Sequence, residues 1–81
     1  MKQITRIRRI LDRLRDDGRG IIVVTDKPNG TMEFERRGMF LTFPSGEAVE
    51  ALSNHCIGSH ASAWGALLRA HEALKHSEVE P

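Results

Sequence analysis

The chain has 81 residues, enough for one domain, and a domain this small buries only about 60–65% of its unfolded surface, so a single core is the ceiling. With 40% apolar and 28% charged residues it is no disordered tail; one cysteine excludes a disulfide framework and fits a reducing, cytoplasmic setting; and no apolar run nears the ~20 residues that cross a bilayer. The net charge of +1 hides a segregation, because residues 1–19 carry seven basic and three acidic side chains, residues 20–45 balance, and residues 46–81 carry two basic and five acidic ones.

Residues 3–17 read as a helix. Ile4, Ile7, Leu11 and Leu14 recur at spacings of three and four, with Ile10 beside them, and make one apolar stripe. Gly18 and Gly20 follow, where glycine commonly ends a helix. Opposite the stripe stand Lys2, Arg6, Arg9 and Arg13; Asp12, Asp16 and Asp17 are placed to partner Arg9 and Arg13 across one turn. Arginines interrupt the isoleucines of the first ten residues, so this stretch is no signal-peptide apolar segment.

Residues 21–26 open with the β-branched run Ile-Ile-Val-Val-Thr, apolar on both faces, which predicts a strand covered on both sides. Pro28-Asn29-Gly30 is turn chemistry. A second strand at 31–36 alternates Met32 and Phe34 with Glu33 and Glu35, and Arg37-Gly38 reverses the chain into a third strand at 39–43. These three form an antiparallel meander. Met39, Leu41 and Phe43 are expected on its core side.

Ser45 is the expected N-cap of a helix over 46–57, with Glu47 in its first turn and Ala48, Val49, Leu52 and Cys56 on its apolar face. Gly58 closes or kinks that helix. Ser59 or Ser62 can cap a further helix over 60–76, with Ala61, Trp64, Leu67, Leu68 and Leu74 on one side and a frayed tail at 77–81. The expected architecture is α+β, in the order α-β-β-β-α-α, in a single domain over 1–81.

Three helices do not easily cover both faces of so small a sheet. Either one helix wraps over the face that carries Phe40 and Thr42, or an apolar patch around Phe40 is exposed and marks a contact site, for a second copy in a homodimer or for another protein.

Catalytic patterns are missing. There is no Gly-Lys-Ser/Thr phosphate loop and no nucleophile elbow. Cys56 beside Val49 and Leu52 reads as a small core residue. His55, His60, His71 and His76 lack the four-residue spacing that puts two ligands on one helix face, so no metal or other cofactor is expected, and His71 reads as a packed histidine. No enzyme is expected. The basic row can track phosphates, which keeps a nucleic-acid-binding module, using the N-terminal helix or the sheet face, as the alternative.

The order helix, three strands, helix is similar to that of double-stranded-RNA-binding domains, but Ser45-Gly46-Glu47-Ala48 stands where that family carries a lysine cluster. Gly38–Phe43 followed by Pro44-Ser45-Gly46-Glu47-Ala48 looks like the sheet-reading DNA-binding domains of phage integrases, which line the exposed sheet face with basic and aromatic side chains; here Lys27, Arg36 and Arg37 are offset by Glu33 and Glu35. In size, single-sheet build, lack of a catalytic set and segregated charge, the whole chain resembles small phage-encoded inhibitor proteins of the anti-CRISPR type. That resemblance implies a non-enzymatic protein that contacts a bacterial nuclease or nucleic-acid-guided complex and blocks its groove. The expected contact residues are Lys2, Arg6, Arg9 and Arg13 toward an acidic surface, or Glu33, Glu35, Glu47 and Glu50 as phosphate mimics, with Phe40 as the apolar anchor.

Overall fold

Apolar periodicity makes the first helix, α1 (Lys2–Asp12), and the core receives its stripe: Ile7 and Leu11 are buried, while Ile4, Ile10 and Leu14 pack partly against them. Each buried aliphatic side chain contributes about 1.5–3 kcal/mol. A computed structural model describes residues 2–55 and 58–79, leaving out the side chains of 2 and 77–79. The expected Cys56 core contact and the end of the tail lie outside the described residues.

The helix stops short of residue 17. Arg13 and Leu14 donate to carbonyls three residues back, at 3.1 Å each, which tightens the last turn. Arg15 then runs extended beside Ser59, donating to the Gly58 carbonyl and accepting from the His60 N–H, both at 3.1 Å. A long-range backbone pairing thus replaces the final helical turn.

Strands β1 (Val23–Asp26), β2 (Thr31–Arg36) and β3 (Met39–Pro44) form the expected antiparallel meander, in the order β1-β2-β3. Val24 lies opposite Phe34, Phe34 opposite Leu41, and Met32 opposite Phe43, so one face carries the apolar residues inward. The second hairpin turns through Arg37 (φ 52°) and Gly38 (φ 83°), and the Glu35 carboxylate accepts the Gly38 N–H at 3.2 Å.

Two expectations about this sheet are corrected. The first strand begins at Val23, and its surroundings cover one side only: Ile22 and Val24 are buried, whereas Ile21 and Val23 are 56% and 47% exposed. All three helices pack on the inner face, so alternate residues of the apolar run look outward. Met39 has the parity of Leu41 and Phe43, yet is 53% exposed. It sits at the hairpin end opposite Arg36, beyond the core cluster.

Helix α2 (Ser45–Ser53) starts one residue earlier than expected, with Pro44 in the N-cap position and no side-chain cap. Ser45 instead donates its N–H and its hydroxyl to the Gly30 carbonyl, at 3.3 and 3.1 Å, which ties the helix to the first hairpin. Asn54 caps its C-terminus, short of the expected end at 57, and α3 (His60–Val79) is a separate helix that runs past the expected end at 76 into the stretch expected to fray.

The first turn of α3 leaves no backbone N–H open, although the buried His60 Nδ1 has no hydrogen-bond partner among the described residues. His60 donates to the Arg15 carbonyl, Ala61 to the Asp17 carboxylate at 2.9 Å, Ser62 to the Ser59 hydroxyl at 3.3 Å, and Ala63 to the Ser59 carbonyl. The Ser62 hydroxyl accepts the Ser59 N–H in return, at 2.9 Å, completing a reciprocal cap. Between the layers Phe34 meets Phe43 edge-on at 5.5 Å, and Phe43 meets the His71 ring at the same distance, so His71 is a packing residue. Leu68, expected among the buried positions of α3, is 37% exposed, while Ala63 is buried.

Candidate functional site

Two surfaces gather the sequence's candidate residues, one on the helical side of the molecule and one on the opposite side.

On the helical side, α1 and α2 enclose a groove of about 620 Å³. Arg6, Arg9 and Arg13 line one wall, Ser53 and His55 the other, and Ile10, Leu14 and Leu52 supply apolar floor. The arginines share this groove because spacings of three and four residues keep side chains on one side of a helix. The expected pairing with aspartates does not occur. Asp16 accepts the Gly18 N–H at 2.9 Å, and Asp17 turns away to α3. Among the described residues no ion pair reaches Arg6, Arg9 or Arg13. The Lys2 side chain lies outside the described part.

The groove's far wall is held from below. The His55 Nε2 lies 3.3 Å from the Ser62 hydroxyl, and Gly58 runs so close that a Cβ there would meet both groups. Ser53 and His55 were not read as groove residues from sequence, since only the approach of α2 to α1 puts them there.

On the opposite side, the outer face of the sheet has no helix over it. Register puts Val23, Glu35 and Phe40 in one cross-strand row, and Thr25, Glu33 and Thr42 in the next. Phe40 is 57% exposed, the most open of the large apolar side chains among the described residues. Lys27 holds Glu33 at 3.5 Å, and Glu35 is shared with the Gly38 N–H, so both carboxylates are steadied on the surface. The four glutamates expected as one set are divided: Glu33 and Glu35 stand on this face, whereas Glu47 and Glu50 border a groove of about 320 Å³ between α2 and α3, across the core.

Arg36 was not singled out for its role. It has inner-face parity, donates Nε–H to the Gly20 carbonyl at 3.1 Å, and reaches Asp17 at 3.7 Å. The Arg19 N–H above all, then the Ala61 N–H, the Ser59 hydroxyl and the Arg36 charge, hold the Asp17 carboxyl below the usual range against the opposing effect of desolvation. This node joins the α1–β1 connection, the end of β2 and the start of α3. It is structural.

Among the described residues, no three His, Cys, Asp or Glu side chains come together as a ligand set, and no helix is long and apolar enough to cross a membrane. No protein-family model, curated protein or solved structure matches the chain.

Proposed function

We propose that this is a non-enzymatic binding protein that acts by protein–protein contact through the outer face of its sheet. The observation that carries the reading is the uncovered Val23–Glu35–Phe40 row, an aromatic anchor beside steadied carboxylates. Exposed apolar surface bordered by charge is how contact sites differ from ordinary surface.

The charge selects the partner. Carboxylates at Glu33 and Glu35 suit a surface that carries arginines and lysines, which is what a nucleic-acid channel presents. The proposed partner is therefore a bacterial nuclease or nucleic-acid-guided complex, with the two glutamates in place of phosphates, and the proposed setting is the cytoplasm. The resemblance in general character to phage inhibitors of the anti-CRISPR type supports the same choice. A nucleic acid laid on this face would meet two carboxylates and is disfavoured. So is a homodimer whose two-fold axis passes through the centre of this face, which would bring the central-strand carboxylates Glu33 and Glu35 of two copies together.

Capture on immobilised wild-type protein and on Phe40→Glu from one bacterial extract tests the reading. Phe40 is exposed but lies opposite Glu35, so the substitution should cost about 1 kcal/mol through cross-strand repulsion and lost strand preference, and leave the fold intact. A nuclease is expected on the wild-type matrix alone, and its cleavage should slow on adding wild-type protein but not the variant. Equal capture and equal inhibition by both would contradict the proposal.

A further inference from the structure

We infer that the α1–α2 groove is a second binding site, independent of the sheet face, and that it takes the phosphate backbone of a nucleic-acid strand. Arg6, Arg9 and Arg13 are exposed, line one groove, and have no ion pair among the described residues. No carboxylate lines the groove. Three guanidinium groups left uncompensated side by side repel one another, an arrangement that an anionic ligand relieves.

Spacing favours a strand over a single phosphate. Positions 6 to 13 rise about 10 Å along the helix, in two steps of about 4.5 and 6 Å. Successive phosphates of one strand lie further apart through space than the rise of about 3.4 Å along the duplex axis, so the row is long enough for two to three of them. The planar fork of each guanidinium suits phosphate oxygens, and His55 and Ser53 border the groove from the other side. The Ile10, Leu14 and Leu52 floor offers no base-reading donors and no aromatic platform, so recognition is of the backbone and not of sequence.

Fluorescence anisotropy on the full chain tests this, with a labelled duplex of about 20 base pairs and one of its strands, at salt from about 25 to about 200 mM. Two to three phosphate contacts predict a slope of log affinity against log salt of about −2 to −3 for the duplex and a shallower one for the single strand. The triple variant Arg6→Ala/Arg9→Ala/Arg13→Ala should lose at least about tenfold in affinity at the lowest salt, and most of the slope, with an unchanged circular dichroism spectrum. The lysine triple should keep the slope, and Arg69→Ala, on α3, should bind like wild type. No binding at the lowest salt, an alanine triple that binds like wild type, or full displacement by polyglutamate at equal charge, as an acidic protein site would show, overturns the inference. None of these outcomes touches Phe40, so this site and the sheet-face reading stand or fall separately.

Discussion

Asp17 shows how much one side chain can organise in a small domain. Its carboxylate receives backbone donors from Arg19 and from Ala61 in the first turn of α3, and lies 3.7 Å from Arg36. Because these groups lower its pKa in the folded state, its contribution is fully present above the unfolded value near 3.8 and disappears as pH falls through the folded one. Asp17→Asn is therefore expected to lower the melting temperature at neutral pH by roughly a few degrees. Between about pH 5 and pH 2, the melting temperature of the variant should fall less steeply than that of wild type. Thermal unfolding followed across that range checks both, and parallel curves for the two proteins would remove Asp17 from this role. From sequence Asp17 is merely an acid four residues after Arg13; its real partners lie far along the chain.

Among the elements, the β2–β3 hairpin depends most visibly on one residue type. Gly38 adopts φ 83°, a left-handed conformation that costs a residue with a Cβ about 1–2 kcal/mol, and open space surrounds the position. Gly38→Ala should thus destabilise by about that amount through the backbone alone, seen as a lower urea midpoint with an unchanged slope. A midpoint equal to wild type would show that the turn relaxes to another form. This hairpin was legible in the sequence because turn chemistry is local: Pro28-Asn29-Gly30 and Arg37-Gly38 each announce a reversal, and alternation of Met32 and Phe34 with glutamates gives the face. The end of α1 was not legible. Its apolar stripe continues to Leu14, but the pairing of Arg15 with Ser59 draws the chain out of the helix, and nothing within residues 3–17 encodes a partner so distant. The N-cap of α2 failed for a related reason, since the Ser45 hydroxyl finds the Gly30 carbonyl across the fold and not its own helix.

At the scale of the whole molecule, three helices packed on one face of a three-stranded sheet divide the surface in two. The helical side carries the arginine groove, and the bare side carries Phe40 with Glu33 and Glu35. The basic row was visible as a helical spacing, and the groove it lines came only with the placement of α2. That the outer face lies open was one of two outcomes the sequence allowed, because hydrophobic alternation tells which residues share a face and not whether a helix covers it. The chain's three phenylalanines make the decisive comparison, since Phe34 and Phe43 are fully buried and Phe40 is 57% exposed. Hydroxyl-radical footprinting read by mass spectrometry, on dilute protein alone and with its captured partner, tests the account most directly. Alone, Phe40 should label at least about tenfold faster than Phe34 and Phe43, and the partner should bring it down to their level, as burial in an interface core requires. A Phe40 as protected as the other two in the free protein, or one that labels equally fast with the partner bound, would contradict the account.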